Sequence, residues 1–446
     1  MTTTNLLPTF QATVEQYIND FGALSERNKE DDFIFTLRKK AIERFAELGF
    51  PTTKNEEWKY TNVTPILKSK FHHPLLSDKP TLTQNDIQEF FISGKDACVL
   101  VFENGRFNST LSKLENLDKR ITVRSLSSSM NEEAVKQHLG NYASIQSESF
   151  IALNTAFVFD GAFIHIPANV MVEHPVHILY VSDGRKEASV MYPRNLIVAE
   201  DNSQVKVVES FHSMKSVNNN FINSVTEVVV MKNAVVEFNK IQNELLETFH
   251  VDHTEASQDR NSTFRINTIT LGGTIVRNNL HIVFNEEHGT SHLHGLYLLD
   301  GNQLVDNHTL VDHAKPNCFS NELYKGLIDG HAQGVFNGKI LVRKDAQKTN
   351  AYQSNKNILL SDDATMNTKP QLEIFADDVK CSHGATTGQL DEDALFYLRS
   401  RGIGEDPAKA LLNVAFASDV IKHISIEALK NNLAGLISAK LNKSKM

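Results

Sequence analysis

At 446 residues the chain is long enough to bury a large core and, on length alone, to divide into two or three domains. Its formal net charge of −9 argues against a nucleic-acid partner, which needs a concentrated basic surface, and its three scattered cysteines form no disulfide framework, as suits a reducing cytosol. The first residues lack a basic segment followed by a long apolar run, and no stretch approaches about 18 unbroken apolar residues, so neither export nor a membrane span is expected.

The chain opens with helical periodicity. Phe10, Val14, Tyr17 and Ile18 recur at helical spacing, as do Phe35, Ala41, Phe45 and Leu48 in a segment that stops at Gly49 before Pro51. Residues 51–63 hold the single tryptophan, and Trp58 with Tyr60 is expected to anchor this stretch to the body. An apolar run at 98–102 reads as a strand closed by a turn at Asn104 and Gly105, with Cys98 as a small buried side chain. Residues 1–149 are therefore read as a helical and mixed N-terminal cap.

From about Phe150 to Thr387 the pattern changes to short β-prone runs between polar turns, with no convincing helix. Leu280, Ile282 and Phe284 alternate with His281, Val283 and Asn285, the period-2 signature of a half-buried strand, and Gly272-Gly273, Asp300-Gly301, Asp329-Gly330 and Asn337-Gly338 mark turns. A body of this kind, residues 150–388, is a large sandwich, a barrel or a solenoid. One internal echo favours the solenoid: Ile358–Ala364 and Ile374–Val379 share an apolar run and an Asp pair about fifteen positions apart. Helices at the two ends of the chain are then expected to cover the end coils.

The stretch Lys380–Ile403 places a Cys-x-His pair, Cys381 and His383, in a small-residue loop ahead of a strongly signalled helix. Asp391 is the N-cap, Leu390 and Leu395 form a hydrophobic staple, Arg399 and Arg401 suit the negative end, and Gly402 closes it. On extended backbone the thiol and imidazole share one side, a reactive or metal-binding geometry. Against this stands the reading of a loop cysteine beside a hydrogen-bonded histidine, because closed metal sites declare three or four ligands. Asp406-Pro407 and Ser425 mark two further helix starts. Residues 389–446 thus form a helical unit whose apolar positions, including Leu411 and Leu412, pack on the body or dock a partner.

Other constellations are weaker. His292 and His294 would face one way on a strand but lack a following acidic ligand, and the doublets Asp362-Asp363 and Asp377-Asp378 each offer at most one inward carboxylate to a β-helix polysaccharide-cleaving site. No phosphate-binding P-loop, dinucleotide fingerprint or nucleophile elbow is present, so intrinsic nucleotide hydrolysis has no support.

The run from Lys380 to Ile403, with CSHGAT followed by an acidic helix start and LFYLRSRGI, closely resembles the C-terminal signature of the SufD family, subunits of the SufBCD iron–sulfur cluster assembly complex. KNEEWKYT at 54–61 is similar to a further element of that family. The related SufB signature carries Glu after the His, where this chain has Gly384. The resemblance implies a mainly β fold, a right-handed parallel β-helix with N- and C-terminal helical segments. It implies a non-catalytic cytoplasmic subunit that pairs with SufB through the β-helix and docks the ATPase SufC through its C-terminal helices, where Leu395, Phe396, Arg399, Arg401, Leu411 and Leu412 are the docking candidates. It further implies a transient iron–sulfur cluster at the SufB interface, with His383 as ligand and Cys381 as second candidate. No permanent cofactor is implied, ATP being bound by SufC, and the chain without its partners is a candidate homodimer. A SufB-like scaffold that holds a cluster by itself and a β-helix enzyme acting on polysaccharide are the alternatives.

Overall fold

A computed structural model describes residues 7–27, 33–72, 80–115 and 117–443. Its centre is a parallel β-solenoid of about eight turns, flanked by helices from both ends of the chain. Each turn contributes one strand to each of two sheets, and additional strands, mostly at the starting edges, bring each sheet to ten. The first sheet runs in space from Arg106–Phe107 and Cys98–Glu103 through Val176–Ser182, Gln204–Ser213, Val235–Asn243, Thr263–Thr270, Thr290–Leu299, Phe319–Ile328 and Asn350–Leu359 to Lys380–Gly388. The second runs from Thr122–Ser125 through Ala162–Ile166, Arg194–Ala199, Asn220–Val230, Thr248–Gln258, Ile275–Phe284, Leu304–His313 and Gln333–Val342 to Thr365–Ile374, with Ser189–Met191 beside Asn220–Val230. Antiparallel pairing occurs only at the starting edge of each sheet, among the described residues.

The coil length follows from a repeated turn. Asn169, Asn202, Asn233 and Asn261 adopt positive φ, which asparagine tolerates better than most side chains. Their amides form a ladder from coil to coil: Asn202 Nδ2 donates to Asn169 Oδ1 at 3.0 Å, Asn233 to Asn202 at 2.8 Å and Asn261 to Asn233 at 3.1 Å. The fifteen-residue echo in the sequence is half of this repeat, since Ile358 and Ile374 stand near the ends of consecutive strands in opposite sheets.

Between the sheets lies an apolar core that includes Ile178, Phe211, Phe238, Ile266, Leu293 and Phe336. A buried ionic group interrupts it. Lys240 Nζ meets Glu209 Oε2 at 3.2 Å, pairs with Asp252 and donates to Thr254 Oγ1 at 2.8 Å. Burying these charges requires such mutual pairing, because an isolated ion in this medium would cost several kcal/mol.

The helices lie on the flanks of the solenoid instead of covering its ends, which corrects the expectation from sequence. The N-terminal helices Leu7–Arg27 and Phe33–Leu48 use Tyr17, Phe21, Ala41 and Phe45 to pack with Phe50, Trp58 and Phe157 in a cluster that reaches Phe221, Phe249 and Ile275 of the second sheet. Trp58 is buried with the Arg277 guanidinium 4.0 Å over its ring, whereas Tyr60 is 38% exposed. On the first sheet, Val208, Ile241, Ile269, Leu296, Leu298 and Leu327 present an outward apolar stripe that the C-terminal helices cover with Val420, Ile421, Leu429, Leu433 and Ile437. A long apolar stripe removes more surface from water than a coil end does, and this selects the flank. The first coil is closed differently, by Phe107, Leu117 and Ile121 folding onto its core.

Four local readings also change. Asn337 and Gly338 form no turn but lie inside strand Gln333–Val342, paired on both sides. Ser149–Ala156 is a helix within the expected strand region; it is buried from Phe150 to Ala156, and a segment buried all round carries no one-sided apolar periodicity to betray it. The second C-terminal helix spans Glu405–Ile421 with Gly404 at its N-cap, so Asp406 and Pro407 lie inside the first turn. The third is Glu427–Lys443, and the Ser425 amide donates to Glu237 Oε1 at 3.0 Å, tying the interhelix link to the body.

The docking of the C-terminal helices carries a pH dependence. His294 on the first sheet stacks on His423 at 3.9 Å between ring centroids, within reach of His292, Arg265, Lys422 and Asp419. Burial, with the neighbouring positive groups, lowers the His294 pKa from 6.5 to about 3, and burial lowers that of His423. The undocked state therefore binds more protons below pH 6.5, and docking weakens as pH falls through that value. Amide exchange in Glu405–Ile421 and Glu427–Lys443, corrected for intrinsic rates, is expected to quicken between about pH 7 and about pH 5. His423→Phe, which keeps a stacked ring without a proton site, should flatten part of the response; identical pH profiles for variant and wild type would reject the assignment.

Candidate functional site

Among the described residues nothing covers the C-terminal end of the solenoid. Lys380–Gly388 is the last strand of the first sheet, hydrogen-bonded to Asn350–Leu359 on one side, and Thr365–Ile374 is the last strand of the second. The Cys-x-His pair lies on this strand, not in a loop, because the backbone of the CSHGATTG segment completes a ladder with the coil before it. Register fixes direction. Ala351, Gln353, Asn355 and Asn357 are buried and alternate with exposed Tyr352 and Lys356, and they stand beside Cys381, His383, Ala385 and Thr387 in turn. These four therefore share the inward-facing side, at the place where another coil would stack.

His383 is exposed there. Cys381 is half-buried against the small cluster of Ile340, Val342, Ala346, Ala351 and Ala376, and burial raises its thiol pKa, which favours the protonated form. Extended backbone thus places thiol and imidazole on one face, as the sequence allowed. Gly384 between His383 and Ala385 has open space where a side chain would begin.

The helix Glu392–Ser400 begins immediately beyond. Asp391 Oδ1 accepts from the amides of Asp393 at 2.9 Å and Ala394 at 3.1 Å, and Gly402 takes a φ of 86° to end the segment, as the sequence indicated. Among the docking candidates, Phe396 is 74% and Leu411 51% exposed, Arg399 and Arg401 are exposed, and Leu395 and Leu412 are half-buried. Tyr397, 57% exposed and lying under the Arg401 guanidinium at 5.1 Å, enlarges this patch and was not singled out from sequence.

The remaining candidates do not assemble. His292 and His294 face the C-terminal helices, and, of other buried histidines, His177 lies between Ser93 and Ser210 and His250 is bound to Glu244 at 2.6 Å. Both Asp doublets sit exposed in turns. Among the described residues no group of three His, Cys, Asp or Glu side chains is placed to hold a metal.

Two stacked sheets with flanking helices, an open final coil and a thiol–imidazole pair on a strand paired on one side only define a parallel β-solenoid protein. Residues 180–416 match the SufBD core domain of the SUF system for iron–sulfur cluster assembly, and residues 11–178 match the SufBD N-terminal region. The chain is 34% identical over 421 residues to an iron–sulfur cluster assembly SufBD family protein of Synechocystis, covering 92% of each chain. It is 29% identical over 403 residues to the iron–sulfur cluster assembly protein SufD of Escherichia coli, covering 90% of this chain and 91% of the relative. Against SufD of Bacillus subtilis the identity is 28% over 437 residues, covering 96% and 98%. The chain belongs to the SufBD family of iron–sulfur cluster assembly proteins.

Proposed function

We propose that this chain is a SufD-type, non-catalytic subunit that completes an iron–sulfur assembly site at an interface with a SufB-type partner in the cytoplasm. The observation that carries this reading is the exposed His383 on the inward face of an uncovered terminal strand. An unpaired strand edge is a template for another chain, and a partner stacked there brings its own side chains against His383 and Cys381. The cluster is cargo, and this end of the chain offers it one imidazole and one thiol, fewer than the four ligands of common clusters. The remaining ligands come from the partner. Cys381 must lose its proton to bind iron, which its partial burial opposes until a cation arrives, so His383 is the first ligand and Cys381 the second.

Sharing ligands across an interface lets partner movement open the site and release the cluster. In this reading the movement is driven by ATP on a SufC-type subunit held by the C-terminal helices. Phe396→Asp, at an exposed position on helix Glu392–Ser400, is expected to lower capture of the SufC-type subunit at least about ten-fold while SufB-type pairing persists. Pull-down from co-expressed subunits measures both, and undiminished SufC capture would reject the docking assignment. For the assembly site, anaerobic reconstitution compares the isolated chain with the co-purified complex. A stable cluster only in the complex is expected; a stoichiometric one on the isolated chain would overturn the shared-ligand reading in favour of a self-sufficient scaffold.

A further inference from the structure

Beneath the terminal strand, the inward side chains of Asn350–Leu359 form a polar layer. Asn357 Nδ2 donates to Asn355 Oδ1 at 2.7 Å, Tyr297 Oη donates to Asn357 Oδ1 at 2.5 Å, and Asn355 Nδ2 donates to Tyr297 Oη at 3.1 Å. The amides under Ala385 and Thr387 are thus satisfied. Gln353, under His383, is different. Its Nε2 donates to Glu322 Oε2 at 2.8 Å, while its Oε1 is buried with no hydrogen-bond partner among the described residues.

A buried acceptor left unpaired costs about 1–3 kcal/mol, so its retention calls for a donor that arrives from elsewhere. Three features hold Gln353 in this orientation. Glu322 and Gln353 occupy successive coils in register, and His383 follows in the next. Gly338, on the facing sheet, leaves room for the Gln353 amide, which a Cβ there would strike. The Glu322 carboxyl, pushed up to about 7 by burial, keeps an unprotonated oxygen for the Gln353 amide whether or not the other carries a proton.

We propose that Gln353, oriented by Glu322, is the positioning residue for His383: its free carbonyl oxygen accepts one imidazole N–H and so fixes which ring nitrogen is left for iron. Adjacent strands lie about 4.8 Å apart, which brings an imidazole above a glutamine within reach of its carbonyl. A ligating histidine that donates its second N–H to a fixed acceptor has a defined tautomer and a more basic metal-binding nitrogen. The inference rests on the reading of His383 as a cluster ligand, and it adds a residue that never touches the cluster.

The test uses the full chain in its co-purified complex. In material labelled with 15N-histidine, the wild-type His383 ring is expected in a single neutral tautomer, and Gln353→Leu is expected to give a mixture together with a cluster yield about ten-fold lower. Glu322→Gln should produce a smaller loss, with no further loss when added to Gln353→Leu. The wild-type spectrum keeps the proposal falsifiable should Gln353→Leu fail to fold, since a mixture of tautomers in the unmodified complex overturns it. If His383→Ala destroys cluster formation while Gln353→Leu retains wild-type yield and a single tautomer, the positioning role falls and the ligand reading stands. If His383→Ala retains full yield, the ligand reading itself falls.

Discussion

His383→Ala is expected to lower the cluster yield of the assembled complex by at least about ten-fold while the complex still forms. The two parts of that expectation have separate grounds. The side chain is exposed on an edge strand, and truncating an exposed residue away from caps and buried networks changes stability by no more than about 0.5 kcal/mol. Strand pairing uses the backbone, which the substitution leaves in place, so the partner retains its template. What disappears is the imidazole that stands where a stacking partner would meet this chain. Cys381→Ala is expected to act more weakly, because its thiol already packs against Ala351 and its neighbours and is biased toward the protonated form. Iron and sulfide content after anaerobic reconstitution measures the yield, and size-exclusion chromatography checks the complex. Wild-type content in the His383 variant would sink the assignment.

Glu227→Ala is expected to cost about 3–5 kcal/mol of stability, the largest effect foreseen outside the site. Glu227 is fully buried on strand Asn220–Val230, where its Oε2 accepts from Arg194 Nη2 at 2.7 Å and from the Gly140 amide at 2.8 Å. Its Oε1 accepts from the amides of Tyr142 at 2.9 Å and Ala143 at 3.0 Å. One carboxylate thus neutralises a buried guanidinium and ties the segment before helix Ser149–Ala156 to the solenoid. Alanine would leave the Arg194 charge uncompensated and three backbone donors unpaired, each a desolvation cost of its own. Arg194→Met combined with Glu227→Leu should be less destabilising than Glu227→Ala, since it removes both charges together. Urea denaturation reads the difference; a loss below about 1 kcal/mol for Glu227→Ala would show that the pair contributes little.

A truncation after Gln389 is a poor probe of partner docking for a reason that only the packed structure reveals. Removing the C-terminal helices would expose Val208, Ile241, Ile269, Leu296 and Leu298 on the first sheet, so lost SufC capture would be confounded with damage to the body. The exposed Phe396 avoids this difficulty.

The layer under His383 was not legible because its signal is periodic and long. Glu322, Gln353 and His383 recur at about thirty residues, one coil apart, and no feature of a single window marks them as stacked. The recurring turns Asn202-Ser203, Asn233-Ala234, Asn261-Ser262 and Asn317-Cys318, each led by an asparagine at positive φ, were the available clue to that period. Likewise Lys240, Glu209 and Asp252 read as ordinary solvated charges along their strands, and only the pairing of coils turns them into an interior group.

Whatever depends on neighbours in the chain could be read from the residues alone. Alternation marked the strands, Asp391 and Gly402 bounded the helix after the Cys-x-His pair, and extended backbone put Cys381 and His383 on one face. The tertiary structure decided what depends on stacking: that the helices cover the flanks, that the last coil stays open, and that Gln353 sits beneath His383 with an acceptor to spare. The physical reason is that local propensity selects a backbone conformation from adjacent residues, whereas which face meets water depends on surfaces contributed by residues a full coil or more away.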